Sequence, residues 1–217
     1  DQRWPVVITC HGTIPWDTAD AQIMEWRKLG EQAGFLVVAP RLEGTNGIAL
    51  TTAEAQIAHQ QADEKLILNT VRKMITTLSG DPNRVYIVGW SGGGYAVYYT
   101  GLRNPRVFRA AVSRMGTFNR DYLPDLAERM DPYQPVGLFF GANDPLPGIS
   151  DQSRQAYDYL TSLGMRRVRL REITGGHQRR PDVAFKFFKD MTDTYALVKL
   201  RAITHIGGSA LAVEFHA

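Results

Sequence analysis

A serine set among glycines is the clearest sign of chemistry in this sequence. The pentapeptide Gly89-Trp90-Ser91-Gly92-Gly93 follows an apolar run, Val85–Val88, and opens a stretch of helical spacing, Gly92–Leu102. A strand that turns sharply into a helix holds the serine in strained dihedrals and leaves no room for a neighbouring β-carbon. The turn also places the serine at a helix N-terminus, where unpaired N–H groups favour negative charge. We therefore predict that Ser91 is a nucleophile for acyl transfer. A phosphate loop is the alternative, but its Lys-Ser or Lys-Thr pair is absent.

A serine hydroxyl needs a base to become nucleophilic. Three histidines follow Ser91 in the chain. His177 ends the loop Gly175-Gly176-His177, between a predicted strand and a predicted helix, where a base would reach the carboxyl edge of a parallel sheet. His205 and His216 lie beyond the last predicted helix. His177 is therefore the predicted base.

The base in turn needs a carboxylate to orient it. Asp144 follows the predicted strand Val136–Phe140, in Gly141-Ala-Asn-Asp144-Pro-Leu-Pro. The alternative, Asp151, is better placed to cap the helix that begins near Ser153. We predict that Asp144 completes a triad in the chain order serine, acid, histidine.

An acyl-transfer site also needs backbone N–H donors for the developing oxyanion. One is expected from Gly92, the residue after the nucleophile. The other is expected from the loop Cys10-His11-Gly12-Thr13 after the first strand, with the Thr13 N–H as the best candidate. His11 is interpreted as a structural loop residue and Cys10 as a small buried apolar residue.

Two tryptophans flank these positions. Trp90 precedes the nucleophile and Trp16 follows the oxyanion loop. Flat aromatic walls favour rings and short chains, so both are candidate substrate-binding residues. The alternative is that they pack in the core or on loops. Only Ser113–Pro135 separates two predicted strands at the place where a lid could be inserted, so we expect no large lid domain, an open cleft, and short or aromatic acyl esters as substrates.

Strand-like and helix-like runs alternate along the chain, which is typical of a parallel sheet covered on both faces. The predicted strands are Val6–Ile8, Phe35–Ala39, Val85–Val88, Phe108–Val112, Val136–Phe140 and Arg167–Ile173. The predicted helices are Ala19–Ala33, Ala53–Leu78 (one or two helices), Gly92–Leu102, Tyr122–Met130, Ser150–Leu163 and Pro181–Thr194, and Gly44–Thr51 is predicted to be a surface loop. The expected fold is a doubly wound, mostly parallel α/β sheet. Residues 1–201 are assigned to this domain and residues 202–217 to a C-terminal extension.

Three stretches resemble the α/β-hydrolase superfamily, and within it the branch of polyhydroxybutyrate depolymerases and feruloyl or acetylxylan esterases. They are the His11-Gly12 loop with Gly34-Phe-Leu-Val-Val-Ala-Pro40, then Asp81-Pro-Asn-Arg-Val-Tyr-Ile-Val-Gly-Trp-Ser91-Gly-Gly-Gly, then Gly141-Ala-Asn-Asp144-Pro-Leu-Pro with Gly175-Gly-His177. The resemblance runs from about Val6 to Asp190. It implies a serine esterase, with first antiparallel strands that are missing before Val6. A peptidase of the prolyl-oligopeptidase type and a non-catalytic binding protein of the same fold are the alternatives.

Composition limits the remaining classes. The 217 residues carry a formal charge of +3 without a recognisable nucleic-acid-binding module. One cysteine and five histidines show no metal-ligand spacing, so no metal or cofactor is expected. No apolar run reaches the length of a membrane span. We expect a soluble protein, cytoplasmic or exported after removal of an N-terminal segment, that acts on a small or polymer-borne ester.

Overall fold

The computed structural model describes residues 2–49, 52–195, 199–207 and 210–216. Its main sheet has six strands in the order β2-β1-β3-β4-β5-β6, and every neighbouring pair is parallel. The strands are β1 Trp4–Cys10, β2 Leu36–Val38, β3 Gly80–Trp90, β4 Ala110–Arg114, β5 Val136–Gly141 and β6 Val168–Ile173. The chain moves from β1 to one edge and then returns to the other side through β3. Ligands of such sheets bind at this reversal, beyond the carboxyl ends of the strands.

Both faces of the sheet are buried, as the near-continuous apolar strands predict. Side chains of β1 and β3 alternate between two cores. Val6 and Ile8 face the core built with α2 Ala53–Thr77 and α5 Ile149–Ser162, whereas Val7 faces the core built with α1 Ala19–Ala33 and α6 Pro181–Thr194. The predicted doubly wound α/β fold is therefore confirmed.

Helix α1 shows why several boundaries could be predicted. The Thr18 hydroxyl accepts a hydrogen bond from the Ala21 N–H at 3.2 Å and caps the first turn. Gly34 ends the helix in the left-handed conformation, with φ of 70°. Helix α2 is one helix rather than two, and it begins after a similar threonine cap at Thr52.

Three segments differ from the prediction. Residues Gly44–Ala49 form a 3₁₀ helix instead of a surface loop, and Thr45 is buried. The stretch expected as one helix over Tyr122–Met130 is a 3₁₀ turn, Arg120–Tyr122, and a single α-turn, α4 Leu126–Arg129, because Asp125 between them is left-handed. The helix after Ser91 is composite: a 3₁₀ turn Ser91–Gly93, then α3 Gly94–Ala96, then a π-turn Val97–Gly101.

The connection between β4 and β5 contains only these short turns, so residues 115–135, all of them described, include no lid domain. At the end of the chain, β7 Lys199–Gly207 and β8 Ala210–His216 pair as an antiparallel hairpin, a separate two-stranded sheet. The sequence did not predict this hairpin, which begins just before the proposed boundary at residue 202. That boundary remains a prediction. Among the described residues, no helix combines the length and apolarity needed to cross a membrane.

Candidate active site

Ser91 lies at a strand-to-helix turn whose backbone is too crowded for side chains. Its φ of 52° places it in the left-handed region, where non-glycine residues are strained. A β-carbon on Gly89 would lie 2.2 Å from the Gly93 carbonyl oxygen, and one on Gly93 would lie 2.3 Å from the Cys10 carbonyl oxygen. The expected strained turn, with glycines that no other residue can replace, is therefore present at Ser91.

The loop after β1 lies against this turn. A β-carbon on Gly92 would be 3.0 Å from the Thr13 nitrogen, and one on Gly12 would be 3.2 Å from the Ser91 β-carbon. The Thr13 N–H donates to no backbone carbonyl among the described residues. The Thr13 nitrogen thus lies close to the Gly92 backbone beside Ser91. That the two N–H groups form an oxyanion hole stays a prediction.

The His11 side chain supports this loop through hydrogen bonds. The Leu42 N–H donates to His11 Nε2 at 2.9 Å, so Nε2 carries no proton. The proton is then on Nδ1, which donates to the Gly12 carbonyl oxygen at 2.7 Å. Because both ring nitrogens are used and the side chain is buried, His11 is structural, as predicted.

Cys10 is also inert. It is fully buried, and burial raises the pKa of its thiol far above the usual range. A thiol that stays protonated is neither a nucleophile nor a metal ligand. No cluster of three metal-ligating side chains occurs within the residues that the structure describes.

His177 and Asp144 meet at the ends of β6 and β5. The His177 Nδ1–H donates to Asp144 Oδ2 at 2.7 Å, and the Leu146 N–H donates to the other carboxylate oxygen at 3.0 Å. The Asp144 side chain is fully buried. With Nδ1 protonated, His177 Nε2 is an acceptor, and it has no hydrogen-bond partner among the described residues. The alternative acid, Asp151, lies in the first turn of α5 and pairs instead with Arg154.

Ser91 and His177 open into one cavity of about 510 Å³. Thr13, Trp16 and Trp90 also line it, so the structure brings the residues that we predicted from separate parts of the chain to one place. The two tryptophans differ, since Trp16 is 72% exposed whereas Trp90 is 8% exposed. The Trp90 ring packs 4.8 Å from the His177 ring. Trp16 is therefore the better candidate of the two for contact with a substrate.

Sequence reasoning missed several residues of the cavity. Thr117 binds the Ser91 carbonyl oxygen through its N–H at 3.0 Å and its hydroxyl at 3.2 Å. The apolar wall was also missed, although part of it stands beside Asp144 in the sequence; it consists of Pro145, Leu146, Pro147 and Ile149. The location of Thr117 just beyond β4 was the available signal, because loops at that edge of the sheet surround the site.

A parallel, doubly wound sheet with a serine at such a turn defines a serine hydrolase of the α/β-hydrolase fold. Residues 20–166 match the model of the prolyl oligopeptidase family, Peptidase S9, and this match covers more than half of the chain. The chain belongs to the prolyl oligopeptidase family. The matched region includes Ser91 and Asp144.

The relatives include both peptidases and esterases. Dipeptidyl-peptidase 5 of Porphyromonas gingivalis is 25% identical over 133 residues, which are 60% of this chain but only 19% of that protein. Esterase PE8 is 21% identical, with a TM-score of 0.66 over 87% of this chain and 93% of the esterase. The S-formylglutathione hydrolase FrmB of Staphylococcus aureus is 15% identical, with a TM-score of 0.64 over 88% and 81% of the two chains. The structural likeness confirms the α/β-hydrolase fold.

Proposed function

We propose that this protein is a carboxylic ester hydrolase in which Ser91, His177 and Asp144 act as a catalytic triad. The hydrogen bond between His177 and the buried Asp144, beside a cavity that also contains Ser91, is the observation that carries the proposal. A buried carboxylate that holds Nδ1–H leaves Nε2 free to accept a proton, which is the arrangement a general base requires.

The reaction follows from these positions. Ser91 Oγ attacks the ester carbonyl carbon while His177 Nε2 takes the hydroxyl proton. The carbonyl oxygen becomes an oxyanion that accepts hydrogen bonds from the Thr13 and Gly92 N–H groups. His177 then gives its proton to the departing alcohol, which leaves an acyl group on Ser91. Water, deprotonated by His177, releases the acid and restores the serine.

Ser91→Ala tests this proposal with p-nitrophenyl acetate as the substrate. We expect kcat to fall on the order of 10⁶-fold, because the variant has no nucleophile. Ser162→Ala, an exposed serine at the end of α5, is the matched control and should keep wild-type activity. If Ser91→Ala keeps a tenth of the wild-type rate, the proposal is wrong.

The apolar cavity and the short β4–β5 connection favour short or aromatic acyl groups. Trp16 has an exposed ring at the cavity wall. The Trp90 ring is instead packed against the His177 ring and the Arg179 guanidinium. Trp16→Ala should therefore raise KM for methyl ferulate several-fold more than for p-nitrophenyl acetate. Tyr133→Ala, an exposed aromatic at a different cavity, should change neither. A value of kcat/KM that rises steadily up to twelve acyl carbons would contradict the short-chain preference.

A peptidase function is the second candidate, and the family match together with the dipeptidyl-peptidase relative favours it. Both activities would use the same serine, so activated esters do not separate them. Methyl ferulate and a dipeptidyl p-nitroanilide do. We expect kcat/KM to be larger for the ester, and a larger value for the anilide would replace the esterase proposal with the peptidase.

A further inference from the structure

Four charged side chains lie together beneath the candidate active site. They are two acids, Asp17 just before α1 and Glu25 within it, and two arginines from later in the chain, Arg114 and Arg179. The Asp17 and Arg114 side chains are fully buried. Two positive and two negative charges balance, which is necessary because an unpaired buried charge is costly.

Asp17 organises the loop that carries Thr13. Its Oδ2 accepts hydrogen bonds from the Gly12 N–H and from Gln22 Nε2, both at 2.7 Å. Its own N–H donates to the Thr13 carbonyl oxygen at 3.1 Å. The backbone is therefore held on both sides of the Thr13 N–H. Asp17 sets the direction of that N–H together with His11, which binds the carbonyl oxygen of the same peptide group.

Arg179 joins this loop to the other half of the site. It stands two residues after His177, and its Nη2 donates to Asp17 Oδ1 at 2.8 Å. Its guanidinium carbon lies 4.8 Å from the centre of the Trp90 ring, which in turn lies 4.8 Å from the His177 ring. Its carbonyl oxygen accepts a hydrogen bond from Arg114 Nη1. The Arg179 side chain thus contacts both Asp17, which holds the Thr13 loop, and Trp90, which precedes Ser91.

We propose that Asp17 and Arg179 form a positioning pair that fixes the Thr13 oxyanion loop and the His177 loop relative to Ser91. This inference rests on the proposed function. The pair touches neither substrate nor reacting atoms. It acts by keeping the base and the oxyanion donor in one geometry, and misplacement of reacting groups by about 1 Å costs on the order of 100-fold in rate.

Arg180 provides a matched comparison within the same loop. Its guanidinium pairs with Asp182 in the first turn of α6, and the two side chains are 33% and 56% exposed. It makes none of the contacts that Arg179 makes with Asp17, Glu25 or Trp90. Two adjacent arginines therefore separate a positioning role from the general effect of losing a positive charge near the site.

The test compares Arg179→Ala, Arg179→Lys and Arg180→Ala in the full chain. We expect Arg179→Ala to lower kcat for p-nitrophenyl acetate about 100-fold while KM changes less than threefold. Arg179→Lys should restore only part of this rate, because an ammonium group pairs with Asp17 but does not stack flat on Trp90. Millimolar ethylguanidinium should restore part of the Arg179→Ala rate, and Arg180→Ala should keep the wild-type kcat.

Hydrogen exchange followed by mass spectrometry gives a readout that does not depend on the reaction. Arg179→Ala should speed exchange in both segments 10–18 and 174–180, and Arg180→Ala should not affect segment 10–18. Wild-type kcat and exchange in Arg179→Ala would overturn the positioning pair, as would an equal loss in Arg180→Ala. If Ser91→Ala keeps activity, the proposed function fails instead, and unchanged exchange in Arg179→Ala still refutes the pair. Should Arg179→Ala fail to fold, Arg179→Lys and Asp17→Asn provide the same comparison.

Discussion

The turn that carries Ser91 and the loop that carries His177 meet at one cavity but are held by different contacts. Around Ser91, backbone packs directly on backbone, and β-carbons on Gly89 or Gly93 would lie within 2.3 Å of a carbonyl oxygen. The His177 loop also packs on backbone, because a β-carbon on Gly141 would lie 2.4 Å from the Gly176 carbonyl oxygen. Its side chains add further contacts: His177 donates to Asp144 and packs against the Trp90 ring, and Arg179 pairs with Asp17. Backbone packing is the main support of the first region, whereas in the second region side-chain contacts act in addition to it.

This difference indicates how each region responds to change. Close-packed backbone has no alternative arrangement, so substitutions there affect the stability of the whole sheet. Polar contacts can be removed singly, so substitutions in the histidine loop affect the rate first. Loops held on a rigid sheet commonly carry the chemistry of such folds. The predictions below separate the two kinds of support.

Among the variants that compare these two regions, the largest effect is expected from Asp144→Asn. The amide no longer favours the tautomer with the proton on Nδ1, and it does not stabilise the imidazolium, so kcat should fall on the order of 10⁴-fold with little change in the melting temperature. Asp151→Asn is the control, since Asp151 lies in the first turn of α5 and pairs with Arg154. If Asp151→Asn lost more activity than Asp144→Asn, the assignment of the acid would be reversed.

A smaller free-energy change, in stability rather than in rate, is expected from Gly93→Ala. The new β-carbon would lie 2.3 Å from the Cys10 carbonyl oxygen, so β1 or the turn must shift, at a cost on the order of 3 kcal/mol in the free energy of unfolding. Gly164→Ala is the opposite case, because Gly164 has a φ of 93° with nothing within 4 Å of its β-position, whereas Gly93 has a φ of −64° and only the steric cost. The cost of Gly164→Ala should be about 1 kcal/mol. Equal urea midpoints for the two variants would contradict the steric account of the turn.

The smallest effect concerns the partly exposed Arg180–Asp182 pair. The hydrogen bond from Arg180 holds the pKa of the Asp182 carboxyl below its usual range. A depressed pKa in the folded state contributes stability above the unfolded pKa of about 4, and that contribution disappears as the pH falls through the folded pKa. Asp182→Asn should therefore lower the urea midpoint slightly at pH 7 and not at pH 2, without changing kcat. A loss that is the same at both pH values would show that the pair does not act through charge.

Much of the fold and site could be predicted because the signals are local. Thr18 and Gly34 mark both ends of α1, and the glycines around Ser91 mark the turn. The Gly44–Ala49 helix could not be predicted, because side chains of α2 determine it: Asp63 accepts hydrogen bonds from the Glu43 and Gly44 N–H groups at 3.0 and 2.7 Å. The contact between Asp17 and Arg179 could not be predicted either, since the two residues are 162 positions apart and only the sheet brings them together.

The most direct test of the central claim is to find the residue that a fluorophosphonate probe modifies. The probe forms a bond from its phosphorus to an activated serine oxygen and releases fluoride, so it reports the nucleophile without any assumption about the substrate. We predict a single adduct on the peptide that contains Ser91, no adduct with Ser91→Ala, and much slower labelling with His177→Gln. Labelling of Ser91→Ala at the wild-type rate, or an adduct on another residue, would contradict the account.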